Sequence, residues 1–337
     1  MNTLNRWSVL NFNSGLQSKN RVVVPPMASS TATVEGFVTD ATLSHYRRLA
    51  LSGAGIVFVE YTYVHPTGRG EEQQLGIYHD GQIVGLTALA MALKKSGALA
   101  GIQLVHNGAK AETALTGQTL LGASAVAVPV KDRSMETPRE ISALEIPSYQ
   151  QWHVDAVRRA AQAGFQLVEF HAAHGYGLNQ WLSSITNRRS DQYGGAIENR
   201  ARMLLEIFAR VRTEFPNMLF GFRLPGEDNY PGGLSSDEMI WVARQLQDAG
   251  IDFLDVSSGI GGWRRPAHRE GEGYLVPEAT RIQAAVRVPV IGVGGIKTGQ
   301  YIDGALGEGL FSLAAVGRGI LENPQSFYQE VLKQNLL

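Results

Sequence analysis

Polar side chains stand at the ends of several short apolar segments, where burial alone gives no reason to place them. Five such positions are Glu60, Gln103, His106, His171 and Arg223. If the segments are parallel strands of one barrel, their carboxyl ends meet on a single face, where barrel enzymes carry their active sites. The pattern therefore predicts a catalytic face. Its chemistry stays open at this point, because Glu60, His106, His171 and His174 also suit the zinc site of a metal-dependent hydrolase.

Two glycine pairs indicate the kind of ligand that this face would bind. Gly294 and Gly295 follow one apolar segment, and Gly317 and Gly319 flank Arg318 after the next. Glycine lets backbone N–H groups approach an anion closely, and arginine adds a charge-assisted hydrogen bond. The last two loops of a barrel commonly form a phosphate site, so we expect a phosphorylated ligand. An aldolase or isomerase acting on a sugar phosphate would use the same loops, but no segment ends in the lysine that a Schiff base needs.

Eight short apolar segments, most of them followed by a helical pattern, run through the whole chain. Such segments are typical of parallel strands that are buried on both faces. Eight strands close a (β/α)₈ barrel, so the sequence predicts a TIM barrel of the α/β class with residues 1–337 in one domain. The predicted strands are residues 21–27, 55–61, 100–106, 165–171, 218–224, 252–257, 288–293 and 311–317.

Two segments interrupt this alternation of strands and helices. Residues 107–147 follow the third strand and far exceed the about two to six residues usual for such a loop, which predicts an insertion over the barrel mouth. Residues 260–276 follow the sixth strand and place Trp263, Arg264 and Arg265 among several glycines. Loops at this face carry function in barrel enzymes, so we expect the second segment to form a lid or a substrate wall.

The composition excludes several classes of site and partner. The 337-residue chain contains no cysteine, which excludes disulfides, thiolate catalysis, iron–sulfur clusters and cysteine–zinc sites. Lys and Arg total 30 against 31 for Asp and Glu, so charge gives no reason to expect nucleic acid or an anionic membrane as a partner. The first 20 residues lack the apolar core of a signal peptide, and no apolar run is long enough to span a bilayer. We therefore expect a cytoplasmic protein that acts on a small molecule.

A continuous block after the fourth predicted strand carries a family resemblance. Residues 171–202 read HAAHGYGLNQWLSSITNRRSDQYGGAIENRAR. This block closely resembles the hallmark stretch of the old yellow enzyme family, in which His-x-x-His (or His-x-x-Asn)-Gly-Tyr is followed by Asn-x-Arg-x-Asp-x-Tyr-Gly-Gly. The resemblance extends over essentially the whole chain. It includes PPM at residues 25–27, QLVHNGAKA at 103–111, FGFRL at 220–224 and VGRGILENP at 316–324.

The resemblance implies an ene-reductase. Non-covalently bound FMN would be reduced by NADPH or NADH and would pass a hydride to the activated alkene of an α,β-unsaturated carbonyl compound. His171 and His174 match the pair that hydrogen-bonds the carbonyl oxygen, where negative charge develops as the hydride arrives. Tyr176 matches the acid that protonates the adjacent carbon, and a phenol is protonated at neutral pH.

The resemblance also implies a set of cofactor contacts. Gln103 and Arg223 match contacts to the flavin ring, where an arginine would stabilise the negative charge of the reduced flavin. Gly294, Gly295, Gly317 and Arg318 match the site of the FMN phosphate, in agreement with the anion site expected from the glycines. The other expected FMN contacts are Pro25, Pro26, Met27, Ala28 and Tyr61.

Three positions depart from the bacterial branch of the family that this chain most resembles. Ala28 stands where that branch has a cysteine that tunes the flavin, and Ser30 where it has a tyrosine that contacts the substrate. Tyr61 stands where the branch has a small residue, so we expect its phenol to restore the lost substrate contact. The expected substrate-binding residues are Ser30, Tyr61, Lys110 and Trp263, and no metal ligand is expected.

Other functions remain open beside this one. A family member that acts oxidatively or on nitro compounds would share the same residues, and the metal-dependent hydrolase becomes the weaker reading because the family uses its histidines as hydrogen-bond donors. A non-enzymatic binding protein is disfavoured because His171, His174 and Tyr176 are all present. The branch's C-terminal arginine that reaches a neighbouring subunit has no counterpart here, which leaves a homo-oligomer as an open expectation.

Overall fold

Eight parallel strands form a closed barrel and follow one another around it in chain order. The computed structural model describes residues 4–131, 134–262, 265–266 and 268–334. Each strand overlaps one of the eight predicted segments, which confirms the predicted TIM barrel. The strands are β1 (Val22–Val24), β2 (Ile56–Tyr63), β3 (Leu99–Val105), β4 (Leu167–His171), β5 (Leu219–Pro225), β6 (Phe253–Ser257), β7 (Val290–Gly292) and β8 (Leu313–Ala315).

A helix follows each strand and packs on the outside of the barrel. These helices are α1 (Asp40–Ala50), α2 (Ile83–Lys95), α3 (Ile146–Gln162), α4 (Arg202–Glu214), α5 (Ser236–Asp248), α6 (Val276–Ala285), α7 (Gly299–Gly307) and α8 (Arg318–Glu322). Short helical segments at Gly177–Leu182 and Ile197–Arg200 precede α4, and Pro324–Phe327 and Tyr328–Leu332 follow α8. No helix in the described ranges is long and apolar enough to cross a bilayer.

Local sequence signals explain where several helices begin and end. Ser235 and Glu238 form the expected capping box, in which each side chain accepts a hydrogen bond from the other residue's backbone N–H. After the helices that lead into β2, β4 and β6, the chain turns at Gly53, Gly164 and Gly250 with φ of +72°, +83° and +90°. Glycine adopts this left-handed conformation without the steric cost of a Cβ, so these residues stop their helices.

The barrel interior is filled by side chains that alternate along each strand. In β4, Leu167 points into the barrel, whereas Val168 and Phe170 point to the helices. An antiparallel pair of short strands, Leu10–Asn11 and Gln17–Ser18, contributes Leu10 to the interior cluster and closes the amino-terminal end of the barrel. The interior apolar residues are Leu10, Phe12, Val23, Ile56, Phe58, Leu99, Leu167, Leu219, Phe253, Ile291, Leu313 and Ala315.

The segment after β3 contains structure of its own. It includes a parallel strand pair, Leu121–Gly122 with Arg139–Glu140, and ends where α3 begins at Ile146. Arg189, in the loop after β4, donates hydrogen bonds to the carbonyls of Ala123 at 3.0 Å and Ile141 at 2.6 Å. These contacts fasten the segment to a loop at the carboxyl end of the barrel. That it covers the mouth stays a prediction.

Glycine makes room for aromatic rings inside the barrel, and this predicts opposite effects for two alanine substitutions. A Cβ at Gly221 would lie 2.1 Å from the Phe253 ring, whereas one at the exposed helical Gly304 meets nothing within 4 Å. Gly221→Ala should lower the free energy of unfolding by about 1–3 kcal/mol. Gly304→Ala should raise it by up to about 1 kcal/mol. Urea unfolding followed by circular dichroism measures both changes. A Gly221→Ala variant as stable as the wild type would contradict the close packing of Gly221 against the Phe253 ring.

Candidate active site at the carboxyl ends of the strands

Three side chains with hydrogen-bonding protons meet where β4 ends. The centroid of the His171 ring lies 4.8 Å from those of His174 and of Tyr176. The backbone turns sharply between them, with His174 at φ +60°, which is uncommon for a residue with a side chain. His171 and His174 are buried, and Tyr176 is partly exposed. The turn thus gathers the three residues predicted to be catalytic.

Both histidines are uncharged at neutral pH. Burial, and then the positive charges of Arg223 and Lys110, hold the pKa of His171 well below its usual range. Burial, His171 and the same two cations do this for the pKa of His174. The backbone N–H of Ala173 donates to Nδ1 of His171 at 3.2 Å, so the proton of that neutral ring lies on Nε2. Nε2 of His174 lies 2.7 Å from the hydroxyl of Ser257, the last residue of β6.

Tyr176 is flanked by a cation and by a second tyrosine. The ammonium of Lys110 lies 4.8 Å from the centroid of the Tyr176 ring and donates to the carbonyl of His174 at 2.7 Å. The ring centroid of Tyr61 is 5.6 Å from that of Tyr176. Two of the predicted substrate-binding residues, Lys110 and Tyr61, are therefore next to the predicted acid.

Four polar side chains fill the barrel interior below the histidines, and we call them the buried quartet: Gln103, Glu169, Arg223 and Asp255. Gln103 donates to Glu169 at 2.6 Å, and Nε of Arg223 lies 3.1 Å from Oδ2 of Asp255. Among the described residues, that Nε and Oδ1 of Asp255 have no hydrogen-bond partner. These unsatisfied buried atoms fit a polar ligand edge above them.

The two carboxyls of the quartet differ in how readily they ionise. Burial and the neighbouring Asp255 raise the pKa of Glu169 well above its usual range, although Arg223 opposes this. Glu169 is therefore the carboxyl of the pair that keeps its proton, and Asp255 is the carboxylate that pairs with Arg223. Neither Glu169 nor Asp255 is among the residues predicted from the sequence. Their positions two residues before His171 and Ser257 put them on the same inward face, which is a signal that could have identified them.

The predicted phosphate residues come together beside β7 and β8. Gly294 and Gly295 have φ of +128° and +70°, and the carbonyl of Gly294 accepts a hydrogen bond from the N–H of Tyr274 at 3.1 Å. The Tyr274 hydroxyl in turn lies 3.4 Å from the exposed guanidinium of Arg318. A Cβ at Gly317 would lie 3.3 Å from the sulfur of Met27, so the residues after β1 border the same loop. The region offers open backbone and one arginine, which suits a phosphate.

The expectation that Glu60 and His106 face the barrel mouth is wrong. The pairing of β2 with β3 is shifted between Val59 and Tyr61, and this β-bulge turns Glu60 toward Tyr46 of α1 and the hydroxyl of Ser29. His106 is packed at 5.1 Å from the Tyr149 ring of α3 and hydrogen-bonds Thr67. Within the described ranges, no cluster of three or more His, Asp or Glu side chains could hold a metal ion.

The remaining predicted substrate residues differ in where they lie. Ser30 is exposed and donates a hydrogen bond to Glu71 at 3.1 Å. Trp263 lies outside the described residues. Beside Ser258, whose carbonyl accepts a hydrogen bond from the N–H of His174, a cavity of about 590 Å³ opens. Its lining includes Lys131, Arg265 and His268.

Comparisons with known proteins point to one family. A model of the NADH:flavin oxidoreductase / NADH oxidase family matches residues 11–336. The NADPH dehydrogenase of Geobacillus thermodenitrificans is 38% identical over 312 residues, which cover 92% of this chain and 89% of that one.

Two solved structures are similar over nearly the whole chain. The old yellow enzyme homologue of Zymomonas mobilis superimposes with a TM-score of 0.83 at 25% identity and covers 99% of this chain and 95% of its own. A 2-naphthoyl-CoA reductase, solved as its complex with 2-naphthoyl-CoA, superimposes with a TM-score of 0.90 at 26% identity over 96% of this chain. The chain spans 52% of the length of that larger protein.

The burial of Glu60 predicts a pH-dependent stability. Burial raises its pKa from 4.5 to about 7, although hydrogen bonds from Ser29 oppose this. The stability that this carboxyl contributes is therefore complete below about pH 4.5 and is lost as the pH rises through about 7. Glu60→Gln keeps the hydrogen-bonding shape but cannot ionise. Its free energy of unfolding, relative to that of the wild type, should rise by roughly 3 kcal/mol between pH 4.5 and pH 8.

Urea unfolding of both proteins at several pH values measures this gain. Glu72→Gln removes an exposed carboxylate and is the matched control, with no comparable gain expected. Parallel pH profiles for the wild type and Glu60→Gln would show that Glu60 is ionised throughout.

Proposed function

The chain belongs to the NADH:flavin oxidoreductase / NADH oxidase family, and on that premise we propose that it reduces the activated C=C bond of α,β-unsaturated carbonyl compounds. It is an FMN-dependent oxidoreductase of the old yellow enzyme family with NAD(P)H as its hydride donor. The observation that supports an alkene as the acceptor is the group formed by His171, His174 and Tyr176, because two neutral donors and one acid lie within reach of one small molecule.

The histidines bind the carbonyl oxygen of the substrate. His171 donates from Nε2, because its Nδ1 already accepts the N–H of Ala173. Nε2 of His174 lies 2.7 Å from the Ser257 hydroxyl. In the proposed arrangement the hydroxyl is the donor of this hydrogen bond, and the proton of the neutral ring is on Nδ1 for the same oxygen. Negative charge grows on this oxygen as hydride reaches the β-carbon, and donors fixed in advance stabilise it.

Tyr176 protonates the α-carbon. Its O–H bond breaks as the new C–H bond forms, and the phenolate then takes a proton from water. The nearby ammonium of Lys110 stabilises the phenolate during this interval. The hydride and the proton thus arrive from different groups and reach different carbons.

The residues around the rim suit FMN. When bound, FMN supplies to the alkene the hydride that it has taken from NAD(P)H. The glycine loops and Arg318 would hold its phosphate, and the buried quartet would hold the polar edge of the ring through Gln103 and Arg223. The rest of the ring would pack on Tyr61 of β2 and on the residues that follow β1, namely Pro25, Pro26, Met27 and Ala28.

NADPH is the proposed donor. The cavity beside Ser258 is lined by Lys131 and Arg265, whose positive charges favour the extra 2′-phosphate of NADPH over the hydroxyl of NADH. The relative from Geobacillus carries the same preference in its name, NADPH dehydrogenase.

An anaerobic spectroscopic titration tests the proposal. We expect the purified protein to have a flavin spectrum that bleaches faster with NADPH than with NADH and recovers when cyclohexenone is added. Recovery with oxygen or benzoquinone but not with any enone would overturn the proposed acceptor. A colourless protein that FMN cannot reconstitute would contradict the cofactor assignment.

Tyr176→Phe separates the two half-reactions. Bleaching by NADPH should change less than about twofold, whereas reoxidation by cyclohexenone should slow by about 10²-fold or more, because the acid is missing. Reoxidation by benzoquinone should persist, because its reduced oxygens take protons from water. Tyr328→Phe, near the carboxyl end of the chain, is the control. Unchanged reoxidation of Tyr176→Phe by the enone would assign the proton to another group.

A further inference from the structure

A carboxylate stands at the rim of the proposed site and is not part of its chemistry. Glu71 lies in the loop after β2 and is partly exposed. Ser30, in a left-handed conformation at φ +50°, donates a hydrogen bond to its Oε2 at 3.1 Å. A residue with a side chain adopts this conformation uncommonly. The hydrogen bond joins the loop after β1 to the loop after β2.

The same carboxylate interacts with Tyr61. The Tyr61 side chain is 8% exposed, and its pKa is raised by burial, then by Tyr176, and then by the charge of Glu71 and a hydrogen bond to it. Because a carboxylate only accepts, the Tyr61 hydroxyl is the donor in this hydrogen bond. The field of Glu71 also reaches Glu60, whose pKa it helps to raise. The charge of Glu71 thus acts on two consecutive side chains of β2, Glu60 and Tyr61.

Contacts connect this carboxylate to the reacting groups. Tyr61 interacts with both Glu71 and Tyr176, and 5.6 Å separate the two tyrosine ring centroids. With its proton directed to Glu71, the Tyr61 oxygen presents lone pairs to the site. The cation Lys110 lies at the other side, against the Tyr176 ring and the carbonyl of His174. A substrate in contact with Tyr61 would therefore meet an acceptor and a negative charge.

We infer that Glu71 is a specificity-determining residue: with Tyr61 and Ser30 it selects alkenes that carry a positive charge or a hydrogen-bond donor remote from the carbonyl, and it disfavours those that carry a carboxylate there. This inference rests on the proposed function. It also gives Tyr61 a definite role, since the phenol accepts a hydrogen bond from the substrate.

Three cinnamaldehydes of similar size test the inference. They carry a 4-carboxylate, a 4-methyl or a 4-trimethylammonium group. Their dissociation constants are measured first on the oxidised holoenzyme, which cannot turn over without a reductant, from changes in the flavin spectrum. Reoxidation of the photoreduced enzyme by each aldehyde is then followed, so that NADPH binding does not enter the comparison.

Glu71→Gln should reduce the preference for the cationic over the anionic aldehyde by about five- to tenfold, in binding and in reoxidation. Affinity for the neutral aldehyde should change less than about twofold. Glu72→Gln makes the same change in net charge at the exposed neighbouring position and should leave the preference as it is. Glu71→Asp should retain most of it, because the charge remains although its hydrogen bonds change.

The outcomes separate this inference from the proposed function. Equal affinity of the wild type for the three aldehydes, or equal effects of Glu71→Gln and Glu72→Gln, would overturn the inference. Loss of the preference in Glu71→Asp to the same extent as in Glu71→Gln would assign Glu71 to loop structure instead. If the preference appears in binding but no aldehyde reoxidises the enzyme, the charge selection stands and the proposed reaction fails.

Discussion

The positive charge of Arg223 inside the barrel constrains every other group in the site. A guanidinium keeps its proton, so its burial is costly unless a carboxylate lies beside it. Asp255 is that carboxylate, at 3.1 Å, and Glu169 avoids a second negative charge by staying protonated. Burial, and then the same cation, keep His171 and His174 neutral. A substrate would therefore meet uncharged donors, which can stabilise a developing oxyanion without first forming an ion pair.

The period of the strands determines which side chains take part in this arrangement. In β4, Glu169 and His171 share the inward face with Leu167, so one strand supplies apolar packing, a buried acid and a donor in succession. The bulge in β2 interrupts the period at one residue: Glu60 turns toward α1, and Tyr61 comes to lie beside Tyr176. A single extra residue thus exchanges a carboxylate for a phenol at the rim of the site.

The barrel could be predicted from the sequence because strand patterns, glycine turns and the Ser235 capping box are local signals. The sequence also identified the residues that meet around His171, through the family resemblance. The directions of the Glu60 and His106 side chains were predicted wrongly. The sequence marks neither the bulge in β2 nor the end of β3 at Val105, one residue before His106. The meeting of Ser30 with Glu71 was equally out of reach. Those residues are 41 positions apart, and nothing in the sequence indicates the left-handed backbone at Ser30.

The site therefore has two electrostatic environments with different roles. In the barrel interior water is excluded, the effective dielectric constant is low, and the charges of the buried quartet act strongly over short distances. At the rim, Lys110 and Glu71 are partly exposed and carry opposite charges; Lys110 lies against the Tyr176 ring, and Glu71 interacts with Tyr61. The proposed oxyanion donors therefore depend on the interior charges, and the proposed specificity residues belong to the rim. Substitutions at positions 28, 30 and 61 depart from the family pattern at the rim, where they can change the substrate without disturbing the pairing of Arg223 with Asp255.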